Sequence, residues 1–192
     1  MRICLDPGHS FGYDVVFGGD PGACNGEYKE SVAALSIALK TGQILKEHAQ
    51  TIFYTRTEGV AKFSLAERVK KANDCKPDCF VSIHLNSCDN PEVYGVETFR
   101  HSKGNDLSYV MAQFVQRNIV DTTGSKDRGV KEGDGLYVIK HTTCPAILVE
   151  VGFISNPDEC KKLFDKKYQQ DIALAIANGI LDAKEYVDDL NG

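Results

Sequence analysis

Cys79-Phe80-Val81-Ser82-Ile83-His84-Leu85-Asn86 is the stretch that decides the fold. Residues 79–83 are a short apolar run of the kind found in fully buried strands. Just past them stand His84 and Asn86, where a core has no use for either. Two other apolar runs end in the same way. Residues 2–5 lead through the turn Asp6-Pro7-Gly8 to His9, and residues 146–149 lead to Glu150. In an open α/β sheet, ligands bind beyond the carboxyl ends of the strands. If the three runs are parallel neighbours, His9, His84 and Glu150 converge there, and buried charge is costly unless paired or metal-bound.

Amphipathic segments lie between these runs. Val32, Leu35, Leu39, Ile44 and Leu45 fall near helical spacing over residues 31–49. Ser64, with Glu67 three residues on, forms a capping box that opens a helix over 64–72. Helices are also expected over 106–120 and 168–186, with a short one begun by Asn156-Pro157. Further strands are expected at 51–55, 95–99 and 136–139. Residues 11–27, rich in glycine, read as an irregular loop. The pattern predicts one α/β domain with a mostly parallel or mixed central sheet of about six strands, flanked by helices on both faces.

The chain has 192 residues, 42% hydrophobic and 26% charged, a size and usage that suit one globular domain. Its net charge of −5 argues against a general nucleic-acid partner, which would need a basic face. No apolar run approaches the ~18 residues that span a bilayer, so no membrane partner is expected. The opening MRICLDPGH passes straight into strand pattern, which predicts synthesis in the cytoplasm without a signal peptide. The closing DDLNG, 188–192, reads as the start of a linker after a domain over 1–187. The seven cysteines are an odd number, and with no leader expected this argues against a disulfide framework. Cys75 and Cys79 have loose zinc-knuckle spacing with no second pair to match. Cys4, Cys79 and Cys144 sit in or beside apolar runs, where a thiol behaves as a small hydrophobe.

Two histidines and a carboxylate suit a divalent transition metal, most often zinc in a hydrolase, with one position left for water. A further carboxylate must then accept a proton without being consumed as a ligand. Glu150 can fill only one of these roles, and Glu27 or Glu30, at and just before the first helix, could supply the other. Each residue alone has a plainer reading: a histidine satisfied by hydrogen bonds, or a glutamate favoured by a helix dipole. Their coincidence at three strand ends is what favours a metal site.

At these residues the chain resembles the zinc-dependent N-acetylmuramoyl-L-alanine amidases of bacterial autolysins and phage endolysins. The resemblance rests on LDPGH at 5–9, GGDPGACNG at 18–26, Glu30 opening ESVAALSIALK, YTRT at 54–57, SLAERVKKAN at 64–73 and FVSIHLNS at 80–87. It continues through YGVETF at 94–99, DRGVK at 127–131, LYVIKHTTCPAILVEVGFISNPDE at 136–159 and AIANGI at 175–180. It implies one catalytic zinc ion held by His9, Glu30 and His84, with Glu150 as acid/base and peptidoglycan as substrate. Glu30 is preferred to Glu27 because the family's metal glutamate stands five residues before a helical leucine, as Glu30 does before Leu35. Asn86 and Arg128 are the candidates for substrate contact, Arg128 with a stem-peptide carboxylate. Arg56 and Arg68 are expected to brace the fold, and His48, His101 and His141 carry no expected role. Residues 11–17 form a longer, more aromatic loop than the family's usual glycine run, and are expected to touch substrate.

The resemblance further implies release to the wall through a holin-type pore or by cell lysis, and a possible C-terminal wall-binding domain beyond this chain. Three rivals remain. A phosphate- or nucleotide-binding domain lacks here both GxGxxG spacing and a P-loop lysine. A cysteine hydrolase lacks a thiol at a strand-to-helix elbow. A non-catalytic wall-binding relative would have no need of Glu150 together with the three ligands.

Overall fold

The computed structural model describes residues 1–10, 19–60 and 63–191. The loop residues 11–17, expected to touch substrate, lie outside these. In chain order the elements are β1 (Arg2–Pro7), β2 (Cys24–Asn25), β3 (Tyr28–Lys29), α1 (Glu30–Glu47), β4 (Thr51–Tyr54), α2 (Leu65–Asp74) and β5 (Cys79–Asn86). There follow β6 (Val96–Arg100), α3 (Asp106–Thr123), β7 (Asp127–Glu132), α4 (Tyr137–His141), β8 (Ala146–Phe153), α5 (Pro157–Leu163) and α6 (Lys166–Asn191). A six-stranded sheet has the order β4-β1-β5-β8-β6-β7, and β2-β3 is a small separate hairpin. The first four strands of that order are parallel; β6 runs antiparallel to β8 and parallel to β7. The expected single α/β domain with a mixed sheet is what the structure has.

Side chains alternate across a strand, and this alternation sorts the two faces. Ile3, Leu5, Val81, Ile83, Ile147 and Val149 point into the larger core, shared with α1, α3 and α6. Cys4, Phe80, Ala146 and Leu148 point the other way, into a smaller cluster with Val69 and Ala72 of α2 and Val138 and Ile139 of α4. The next residues along this second face are Asp6, Ser82, His84 and Glu150. The polar site therefore follows from the same period-two pattern that builds the minor core.

Helix ends follow their local signals. Ser64 accepts from the Glu67 N–H at 3.2 Å and Glu67 accepts from the Ser64 N–H at 2.8 Å, completing the capping box. Asn156 caps α5, with Pro157 in its first turn.

The structure corrects four sequence expectations. Residues 136–139 are not a strand. They open α4, where Val138 and Ile139 are buried as one helical turn against the minor cluster. The sixth strand is β7, an edge strand whose half-exposed DRGVKE carries the charges that edges favour and therefore lacks a strand-like apolar pattern. Strands β5 and β8 also run further than their apolar runs, so His84, Asn86 and Glu150 lie within the ladder. Finally, α6 continues to Asn191 through the residues read as a linker, helped by an i,i+4 ion pair between Lys184 and Asp188.

Candidate metal centre and active site

Four elements deliver the site. His9 lies just past β1, in a left-handed backbone conformation (φ 56°) that is uncommon for a non-glycine residue. His84 lies in β5, Glu150 faces it from β8 as its direct ladder partner, and Glu30 is the first residue of α1. Glu30 Oε1 lies 2.9 Å from His84 Nδ1 and 3.3 Å from His9 Nε2. The same oxygen accepts the Leu85 N–H at 3.1 Å, and Oε2 accepts the Ala23 N–H at 2.9 Å. One ligand atom from each of His9, Glu30 and His84 can be chosen so that all lie within 4.8 Å of one another, a group able to hold a metal ion.

The chemistry of these residues fits such an ion. Two imidazoles and one carboxylate are the donor set of three-ligand catalytic metal sites. Buried His84 Nε2 has no hydrogen-bond partner. Asp20 Oδ2 accepts from His9 Nδ1–H at 2.6 Å, the carboxylate support that orients a metal-binding imidazole. Asp20 is returned to His9 by the backbone bridge between Ser10 and Asp20. Gly22 closes the cradle at φ +71°, where a Cβ would lie 2.5 Å from Glu30 Oε2 and 2.7 Å from the His9 ring. Glu27, the alternative carboxylate, is exposed and away from this group.

Electrostatics divide the carboxylates. Burial works against charge on Glu30, yet hydrogen bonds from His84 and His9 hold its pKa far below the usual range. Burial lowers the pKa of His84, whereas on His9 the hydrogen bonds to Glu30 and Asp20 outweigh burial and raise it. Glu150 differs from all of these. Burial, then the charges of Glu30 and Glu97, push its pKa well above the ordinary 4.5. Its Oε2 is shielded from solvent and has no hydrogen-bond partner.

The other expected residues fall as follows. Asn86 donates to Glu97 Oε1 at 2.7 Å, and Arg128 donates through Nε to Glu97 Oε2 at 2.7 Å. Both therefore border the site through Glu97. Arg56 donates to the carbonyls of Pro7, Gly8 and Ser31, tying the end of β1 to the start of α1. Arg68 pairs with buried Asp6. Both arginines brace the fold as expected. All seven cysteines are free, and burial pushes the thiols of Cys4 and Cys79 up, with Cys144 pushed to about 11, the opposite of an activated nucleophile.

Two site residues escaped the sequence reading. Asp20 sits in the quoted GGDPGACNG, but only the returning loop shows that it meets His9. Glu97 sits in YGVETF, and its alternation with apolar neighbours was the signal that a charge was being turned to a buried face.

Comparison with known proteins places the fold. The family model for N-acetylmuramoyl-L-alanine amidase (Amidase_3) matches residues 3–182. The chain belongs to that family. Among these amidases it is 33% identical to the germination-specific N-acetylmuramoyl-L-alanine amidase of Bacillus subtilis (strain 168), covering 93% of this chain and 78% of the relative. The crystal structure of an N-acetylmuramoyl-L-alanine amidase from Clostridium difficile 630 superposes with a TM-score of 0.88 at 32% identity, covering 96% of each chain. The catalytic domain of CwlV, an amidase from Bacillus (Paenibacillus) polymyxa var. colistinus, gives 0.84 at 34% identity, covering 97% of this chain and 98% of that one. The amidase fold and the family's enzymatic character thus apply to this chain.

Proposed function

We propose that this amidase is a zinc enzyme that hydrolyses the amide between the lactyl group of N-acetylmuramic acid and L-alanine of the peptidoglycan stem, and thereby lyses bacterial walls. The observation that carries the reading is the group His9, Glu30 and His84 beside Glu150, whose shielded Oε2 has no hydrogen-bond partner. His9, Glu30 and His84 would hold the ion, which when bound polarises the scissile carbonyl and acidifies water. Asp20 fixes the orientation of His9, and Arg56 fixes the junction of β1 and α1 from which His9 and Glu30 project. Glu150 takes the proton from the attacking water and returns it to the leaving L-alanine amine, a role suited to a carboxyl that burial keeps easily protonated. Asn86 and Arg128, both bound to Glu97 beside Glu150, would contact the substrate.

The catalytic unit is assigned to residues 1–187, the span that holds every strand of the sheet. Among the described residues no helix is long and apolar enough to cross a membrane, and access to the wall would come through a holin-type pore or cell lysis.

Mass analysis of fragments released from purified walls tests the bond assignment. New L-alanine amino termini are expected, and new reducing sugar ends or internal peptide termini would sink it. Chelation should abolish release and zinc should restore it. Activity lost to thiol alkylation and untouched by a chelator would favour the cysteine reading. His84→Ala should lose both bound metal and lysis.

A further inference from the structure

The row of paired residues His84, Glu150 and Glu97 crosses β5, β8 and β6, with all three side chains on the minor face. Directly opposed residues share a face, so this row continues the site toward β7. There the ladder slips. Val96 faces Asp127, but Thr98 faces Val130, so β7 carries one extra residue, and Gly129 takes φ +80° at the slip. Such a bulge re-aims side chains and is common beside active sites.

Its effect here is specific. Arg128 and Lys131 are three positions apart and would point to opposite faces of a regular strand. Instead both reach the same oxygen, Glu97 Oε2, Arg128 Nε at 2.7 Å and Lys131 Nζ at 2.5 Å. Glu97 is 5% exposed and is fixed on its other oxygen by Asn86. The Arg128 guanidinium also lies over the Phe153 ring, 4.9 Å from its centroid, which sets its plane. Two cations on one carboxylate leave an unbalanced positive charge in a chain whose net charge is −5. Both side chains keep an open edge, being 25% and 39% exposed. Beyond Nε, Arg128 makes one long contact, from Nη1 to the Tyr94 carbonyl at 3.5 Å. A guanidinium has five donors and an ammonium three, so unused donors remain on both.

We propose that Arg128 and Lys131, anchored on Glu97, form a clamp for a free carboxylate on the stem peptide, and that the clamp selects acidic stems over amidated ones. This rests on the amidase reading above and names the part of the substrate that the site reads. Neighbouring strands lie about 4.8 Å apart. The clamp therefore stands one to two strand spacings from Glu150, a gap that an extended peptide at roughly 3.4 Å per residue crosses in two to three residues. The carboxylate read is on the second or third residue of the stem. Glu97 is a positioning residue in this scheme, because it acts through the two cations.

The test uses the metal-loaded full chain and synthetic muramyl tripeptides in matched pairs, each pair differing only by carboxylate or carboxamide at the second or third residue. For one of the pairs, wild type should favour the acid about tenfold or more in kcat/KM, the scale of a charge-assisted hydrogen bond. Arg128→Gln and Lys131→Gln should each shrink that ratio several-fold through a higher KM for the acid, and the double variant should bring it near one. Glu97→Gln should shrink it in the same direction, a change that mere loss of stability would not produce. Equal cleavage of both members of both pairs by wild type, or an unchanged ratio in the variants, would overturn the clamp alone. No cleavage of any tripeptide at the muramyl–alanine bond would overturn the amidase reading beneath it.

Discussion

Asp6 and Glu150 are two carboxylates on one face of one sheet, and the protein treats them in opposite ways. Asp6, fully buried in β1, accepts hydrogen bonds from Thr55 (2.6 Å), Ser82 (2.7 Å) and both Nε and Nη2 of Arg68 (2.9 and 2.5 Å). Burial opposes its charge, but Arg68 and the two hydroxyls more than offset this and hold its pKa below the ordinary 3.8. Glu150, two strands away in β8, has a shielded oxygen with no partner and a pKa pushed up. The contrast separates a brace from the proposed acid/base. Burial is common to both, and the supply of donors decides which one stays ionised.

The comparison can be broken by experiment. Glu150→Gln should give the largest change, with wall-lytic turnover falling by about 10²–10⁴-fold and bound zinc retained. Full activity in this variant would end the assignment of Glu150. Asp6→Asn should leave Arg68 buried without its counter-charge and cost about 3–5 kcal/mol, read as a large fall in the unfolding midpoint. Asp20→Asn should weaken zinc binding about 10–100-fold in a chelator competition, because His9 loses the carboxylate that orients it.

The pH dependence of stability, measured on metal-free protein, sharpens the contrast with a smaller but opposite-signed pair of effects. The folded pKa of Asp6 is depressed, so its contribution is present above its ordinary value near 3.8 and is lost as pH falls through the folded pKa. The deficit of Asp6→Asn relative to wild type should therefore shrink in acid. The folded pKa of Glu150 is raised, so ionisation at neutral pH works against the fold. Glu150→Gln should be more stable than wild type at pH 7, with the advantage fading as pH drops toward 4.5. Equal pH profiles for the two variants would show that the donor argument fails.

Much of this was legible from local pattern. The runs ending in His9, His84 and Glu150 betrayed themselves because apolar strands have no reason to finish on such residues, and period-two alternation puts His84 and Glu150 on a common face. Local pattern left Glu27 and Glu30 open, and only the family resemblance preferred Glu30; the fold buries Glu30 where it leaves Glu27 exposed. What stayed hidden depended on pairings distant in sequence. Asp20 meets His9 only because the loop returns to Ser10. Glu97 meets Glu150 only because β6 enters the sheet antiparallel. The edge strand β7 is too charged to look like a strand, whereas LYVI looks like one and forms a helical turn, because its buried pair is adjacent rather than alternating.

The reversal of direction between β8 and β6 has one more consequence. Strand tips from the parallel half and strand beginnings from the reversed half meet along a single rim of the sheet. His9 and His84 belong to the first group, and Glu97 with Arg128 to the second. On the clamp proposal, substitutions in β6 and β7 would change which stem carboxylate is accepted, while the histidines are carried by β1 and β5. The proposed selectivity and the proposed hydrolysis are thus carried by strands of opposite direction, joined at the β8–β6 pair.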